Sequence, residues 1–258
     1  MFIIHSPVVE LSEIQKGIFL QKIKSPELAE KLLPGQFLNV KVSEGYFPLL
    51  RRPFSICDVE DENIFLMFNI FGEGTRILAC KHKGDIINIL GPLGKGFNYD
   101  DDYDLAVFVA GGLGAAPFPY LARKLKNKKD IISFIGGRTK LEVIKYNIPN
   151  FLIATEDGSE GYKGNVIQLF ENEIQNHLNK KIKIFGCGPN AMLKALSDSV
   201  KKLNNQGSDI VCEISTESAM ACGFGICQGC PIQDANNPNH YHLICKDGPV
   251  FNINEVVL

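Results

Sequence analysis

Four cysteines near the end of the chain are spaced for metal chemistry. The stretch Met220-Ala221-Cys222-Gly223-Phe224-Gly225-Ile226-Cys227-Gln228-Gly229-Cys230 forms a Cys-x4-Cys-x2-Cys array, and Cys245 follows after fourteen intervening residues. That is the plant-type spacing for a [2Fe–2S] cluster, in which four thiolates hold two irons. Gly223, Gly225 and Gly229 suit a tight loop whose backbone N–H groups must approach the sulfurs. A structural zinc site also uses four cysteines, but it commonly pairs two short knuckles and the second is missing here; it stands as the alternative. A Rieske centre needs two histidines, and the nearby His240 and His242 read as loop surface because four cysteines already complete a set. Eight cysteines also allow disulfides by count. Met1-Phe2-Ile3-Ile4 has no basic, apolar leader pattern, so a reduced, cytoplasmic setting is expected instead.

Two further stretches have phosphate and ring chemistry. Arg52-Pro53-Phe54-Ser55 places a cation, an aromatic ring and a hydroxyl within four residues. Strand alternation sends Arg52 and Phe54 to one side, where a guanidinium grips a pyrophosphate and a ring stacks on a flat cofactor. Gly72-Glu73-Gly74-Thr75 offers bare backbone and a hydroxyl for phosphate. Each alone also reads as an ordinary strand start or turn. Farther on, the apolar run Leu105 to Ala110 leads into Gly111-Gly112-Leu113-Gly114-Ala115-Ala116-Pro117 and then a helical stretch to about Asn127. Strand, glycine turn and helix start make the usual nucleotide-diphosphate site. Gly186-Cys187-Gly188-Pro189 follows another strand, so it belongs at the same sheet edge, where ligands bind.

The elements that must position these residues fall into three parts. Residues 1–98 read as short strands punctuated by glycine, an antiparallel β-barrel. Residues 99–215 alternate strand and helix, a doubly wound parallel α/β domain with strands at Ile131–Gly137, Phe151–Ala154, Lys183–Phe185 and Asp209–Glu213. Residues 216–258 form a small cysteine-rich domain. Asp100, Asp101, Asp102 and Asp104 make an acidic surface link between the first two parts. A formal net charge of −2 argues against a nucleic-acid surface. The basic run Arg123 to Lys129 reads as the solvated end of a helix. Leu105 to Ala122 is uncharged and long enough for a membrane span, but its glycines and prolines favour strand, turn and helix start, and no membrane is expected.

Taken in order, Arg52-Pro53-Phe54-Ser55, Gly74-Thr75, the Gly111–Pro117 turn and Gly186–Pro189 resemble the ferredoxin–NADP reductase superfamily. Glu217 to Cys230 and Cys245-Lys246-Asp247-Gly248-Pro249-Val250-Phe251 resemble, within it, the electron-transfer subunits of two-subunit, NAD-dependent dihydroorotate dehydrogenases. Thr155-Glu156-Asp157-Gly158-Ser159 fits the same family. The resemblance implies a relay in pyrimidine biosynthesis. Electrons leave FMN on a catalytic partner subunit, pass a [2Fe–2S] cluster and FAD, and reach NAD+, within a heterotetramer of two plus two chains. It assigns FAD to Arg52, Pro53, Phe54 and Ser55, with Gly74 and Thr75 at the diphosphate and Met67, Phe68 and Asn69 as further contacts. It assigns NAD to Gly112, Gly114 and Pro117, closed by Cys187, Gly188 and Pro189, and the cluster to Cys222, Cys227, Cys230 and Cys245. No side chain is expected to act as a general acid or base for orotate chemistry. One departure is Phe54, where the flavin motif often carries tyrosine. Arg138 and Lys140 suit an NADP 2′-phosphate whereas Glu156 and Asp157 repel one; the resemblance favours NAD. The alternatives are the flavin subunit of an NAD(P)H–ferredoxin reductase or sulfide dehydrogenase, against which Cys222 counts, and a zinc-stabilised interaction module.

Overall fold

A computed structural model describes residues 1–258. The first part is a closed barrel built from β1 (Phe2–Gln15), β2 (Ile18–Lys24), β3 (Phe37–Lys41), β4 (Arg52–Glu60), β5 (Asn63–Asn69) and β6 (Ile86–Leu93). Two short helices, α1 (Pro26–Lys31) and α2 (Glu73–Ala79), interrupt it. The barrel order is β1-β2-β5-β4-β3-β6, with every pairing antiparallel. Alternation decides what each strand buries. Leu38 and Val40 of β3 point inward with Ile56, Ile64, Leu66 and Ile89. Phe37 faces out and packs into the core of the neighbouring part.

The second part comprises β7 (Leu105–Gly111), α3 (Phe118–Leu125), β8 (Asp130–Gly137), β9 (Phe151–Thr155), β10 (Tyr162–Lys163), α4 (Val166–Ile174), β11 (Ile182–Cys187), α5 (Asn190–Asn205) and β12 (Ile210–Ser215). The third comprises β13 (Pro231–Gln233), β14 (Tyr241–Leu243), α6 (Ile244–Asp247) and β15 (Val250–Asn252). The large sheet runs β10-β9-β8-β7-β11-β12-β15, parallel except for β15, which joins the edge antiparallel to β12. The continuous apolar run of β7 is explained by its central place. Leu105, Val107 and Val109 face the helices α4 and α5. Ala106, Phe108 and Ala110 face α3 and the outer wall of the barrel. From β7 the chain moves outward to β8 and β9, then returns to β11 on the other side. The switch point therefore lies between β7 and β11.

Helix α3 fastens the barrel to the sheet. Its Tyr120 hydroxyl donates to the carbonyl of Leu32 at 2.9 Å, and its Arg123 guanidinium donates to both oxygens of buried Asp58, at 2.8 and 2.7 Å. The basic run expected to be solvated is thus partly spent on structure, since Lys129 also donates to the carbonyl of Tyr103 and lies over its ring. The acidic link likewise reaches inward: Asp101 meets Lys183, which is fully buried and also 3.1 Å from Glu213. A lone buried ammonium would be prohibitively costly, and two carboxylates compensate it. No helix is long and apolar enough to cross a membrane.

Candidate functional site

Two clefts meet where the barrel faces the carboxyl edge of the sheet. The first, about 230 Å³, is lined from the barrel by Phe37, Pro53, Phe54, Ser55, Met67, Phe68, Asn69 and Thr75. From the other parts come Leu113, Ala116, Ser215, Thr216, Glu217, Ser218, Met220 and Pro249. Arg52 lies beside it: a Cβ on Gly74 would stand 2.9 Å from the Arg52 Nε, so the guanidinium rests against the start of α2, and its Nη1 donates to the Leu50 carbonyl at 2.6 Å. The two short motifs, separated by sixteen residues of sequence, therefore form one place. Two details differ from the expectation. The Thr75 hydroxyl is committed to the helix start, accepting from the N–H groups of Phe71 and Gly72 and donating to the Gly72 carbonyl. Phe54 is 8% exposed and meets Phe68 edge-on at 5.8 Å, so most of its ring belongs to the barrel core and only its remaining surface faces the cleft. Apolar walls beside a cation suit a flat aromatic ligand with an anionic tail.

The second cleft, about 640 Å³, includes Gly111, Gly112, Leu113, Gly136, Gly137, Arg138, Glu142, Glu156, Pro189 and Met192. It shares Asn69 and Leu113 with the first, so the two are adjacent rooms with a common wall. Gly114, Pro117, Cys187 and Gly188 are the frame of this cleft, not its lining. A Cβ at Gly114 would meet the Cys187 carbonyl oxygen at 2.3 Å, which is why the β7 turn can lie directly on the end of β11. Cys187 is buried, and desolvation pushes its thiol well up. Arg138 is bound to Glu142 through its Nε at 2.9 and 3.1 Å, and this contact holds the carboxyl of Glu142 below its ordinary range.

The four cysteines lie at the foot of the first cleft. Met220, two residues before Cys222, and Pro249, four after Cys245, both line it. The thiols sort into pairs. The Cys227 N–H donates to the Cys222 sulfur at 3.4 Å, and the Cys245 N–H donates to the Cys230 sulfur at 3.4 Å. Burial opposes ionisation of Cys222, but the N–H groups of Cys227 and Phe224, the Cys227 thiol and the Ile226 N–H together bring it down to about 6. Cys245 is pushed up to about 12, first by burial and then by the adjacent Cys230. One zinc requires all four sulfurs around a single ion. Two pairs suit two irons, and the donor set fits a binuclear cluster. Gly223 has φ +79°, and a Cβ there would stand 2.2 Å from the Asn39 Nδ2. That amide donates to the Cys222 carbonyl at 3.1 Å and ties the loop to the barrel.

Sequence reasoning did not single out Gly136, Gly137, Met192, Ser215, Thr216, Glu217 or Pro249 as lining. The signal was available for some: Gly136-Gly137 and Ser215-Thr216 end strands on the same sheet edge as the glycine turn. Glu217 follows directly, and desolvation raises its carboxyl above the usual range although the residue keeps open surface.

Comparison with known proteins agrees with this arrangement. Residues 217–257 match the family model described as the iron-sulfur cluster binding domain of dihydroorotate dehydrogenase B. The dihydroorotate dehydrogenase B (NAD(+)) electron transfer subunit of Bacillus cereus (strain Q1) is 37% identical over 264 aligned positions, covering 97% of both chains. That of Bacillus anthracis (strain A0248) is also 37% identical with the same coverage. Among solved structures, an NADH-dependent reduced ferredoxin-NADP oxidoreductase superposes with a TM-score of 0.83 at 25% identity, over 98% of this chain and 89% of that one. A ferredoxin NADP+ reductase from Neisseria gonorrhoeae, with bound FAD and NADP, gives a TM-score of 0.60 at 16% identity over 83% and 99%, a likeness of fold. With the relatives aligned along almost their whole length and the cysteine module matched separately, the chain belongs to the family of dihydroorotate dehydrogenase B (NAD+) electron transfer subunits.

Proposed function

We propose that this chain relays electrons from FMN on a catalytic partner subunit to NAD+, within a cytoplasmic heterotetramer of two plus two chains. Residues 1–98 hold FAD, 99–215 hold NAD, and 216–258 hold a [2Fe–2S] cluster while lending β15 to the nucleotide sheet. When bound, the cluster moves single electrons and the flavin converts them to the two-electron exchange that a nicotinamide requires. The observation that supports this reading is contiguity: the clefts share Asn69 and Leu113, and Met220 and Pro249 join the cysteine loop to the first of them.

The chain's own groups bind and orient. Arg52 neutralises the FAD pyrophosphate beside Gly74, and Pro53, Phe54 and Ser55 with Met67, Phe68 and Asn69 wall the ring. Thr75 acts by capping the helix start that faces the phosphates. Gly112 lets the NAD diphosphate approach the β7 turn, which Gly114 and Pro117 frame, and Pro189 closes the nicotinamide end, with Cys187 and Gly188 supporting it from behind. Cys222, Cys227, Cys230 and Cys245 ligate iron. NAD is favoured over NADP because Arg138 is engaged by Glu142 and Glu156 adds a second carboxylate to the cleft. Glu142→Gln should release Arg138 and raise the NADPH-to-NADH ratio of kcat/KM by about tenfold, the value of a modest charge contact.

The test is an anaerobic visible spectrum with iron, zinc and flavin analysis of the chain, expressed with a catalytic subunit. FAD and about two irons per chain, bleached by NADH, are expected. Zinc without iron would overturn the relay while leaving the fold intact.

A further inference from the structure

Between the third and fourth cysteines the chain makes a hairpin, β13 and β14, whose far end collects a second set of ligand atoms. Ile232 pairs with His242 across the hairpin, and one step beyond the ladder the Asp234 N–H donates to the His240 carbonyl at 3.1 Å. Since side chains alternate between faces, this register puts Asp234, His240 and His242 on one face. The carboxylate is held by its own turn: Oδ1 accepts from the N–H groups of Asn236 at 2.7 Å and Asn237 at 3.1 Å. Oδ2 is left facing His240 Nδ1 and His242 Nε2, each at 3.1 Å. The two imidazole rings stand nearly perpendicular with centroids 5.0 Å apart, and His242 also rests on core residue Phe251.

We propose that Asp234, His240 and His242 form a binding site for a divalent transition-metal cation, of which zinc is the best matched, distinct from the cysteine cluster. The donor atoms all lie within 4.8 Å of one another. The edge of a tetrahedron around zinc, with bonds of about 2.0–2.1 Å, is about 3.3 Å, close to the oxygen–nitrogen separations here. Of the two rings only His240 hydrogen-bonds Oδ2, through Nδ1, while His242 Nε2 stands 3.1 Å away without hydrogen-bond alignment. A cation engages both nitrogens and the carboxylate at once, and this borderline nitrogen and oxygen set suits zinc, copper or nickel. Three protein ligands leave a fourth position to water. The site clasps the hairpin that spaces Cys230 from Cys245, so its occupancy sets how firmly the inner thiols are presented.

The test is anaerobic calorimetric titration of zinc sulfate into the EDTA-treated, dialysed, cluster-loaded full chain, with iron assayed before and after. The expected result is one zinc per chain with iron unchanged. His240→Ala, at a half-exposed position, should weaken zinc binding by about 100-fold, as should Asp234→Asn, which keeps the turn. Slower bleaching of the cluster band in zinc-loaded protein, lost in both variants, completes the expectation. Zinc entering only as iron leaves would overturn the proposal. So would equal binding by wild type and a His240→Ala/His242→Ala chain that retains its cluster spectrum, or no zinc bound at all.

Discussion

The inner and outer halves of the cysteine set are built differently. Cys230 and Cys245 are part of the largest hydrophobic core, in contact with the same cluster of residues as Ile244 and Phe251. Cys222 is half-buried and Cys227 exposed, on a loop whose Ile226 is 75% open to solvent. The inner pair is therefore positioned mainly by packing, with the one N–H of Cys245 donated to the Cys230 sulfur, and the outer pair by two N–H groups donated to the Cys222 sulfur and by the Asn39 clasp. On the proposed relay both properties have a use: an end fixed within the chain and an end accessible to whatever delivers electrons.

The sharpest way to break this contrast is to remove one thiol from each half. Cys227→Ser should lower dihydroorotate-driven NAD+ reduction by about 100-fold or more while leaving NADH–dye reduction intact, since the outer pair alone is touched. Cys245→Ser should lose the coupled reaction equally and lower the thermal midpoint as well, because it disturbs a packed core. Equal midpoints in the two variants would erase the distinction. In cluster-free chain, alkylation followed by mass spectrometry should separate the thiols by pH. Cys222 should react half-maximally near pH 6, becoming more reactive as pH rises through that value. Cys245, pushed up to about 12, should stay unmodified through pH 8 in folded protein. A smaller effect is expected from Ile226→Glu, which should weaken association with the catalytic subunit by about tenfold, measured by surface binding, with the flavin spectrum unchanged. Smallest is Asn39→Ala. It should cost about 0.5–1 kcal/mol in the denaturation of the loop by removing one hydrogen bond. No change there would show that packing alone seats the outer pair.

The sequence carried the cysteine spacing, the barrel and the doubly wound sheet legibly, because each is written in local pattern. Four thiols at fixed offsets, period-two alternation and the unbroken apolar β7 need no tertiary information to be read. What stayed hidden depends on contacts between distant residues. Arg123 reads as surface in the string of lysines, and only the fold brings it to Asp58. Thr75 looks like a phosphate ligand until its hydroxyl is seen capping its own helix. Ser215 to Glu217 become cleft lining only because the sheet edge faces the barrel. His240 and His242 read as loop surface, and the hairpin register is what turns both towards Asp234.

Strand β15 carries a consequence for how the chain can be divided. It covers Glu213 to Ser215 of β12, the last parallel strand of the nucleotide sheet. A chain cut back to barrel and nucleotide parts would bare the unpaired N–H and C=O groups of Glu213 to Ser215 at the sheet edge, inviting edge-to-edge association with other copies. The redox tail thus doubles as a seal on the sheet, and a soluble, cluster-free reductase is not obtained by deletion alone.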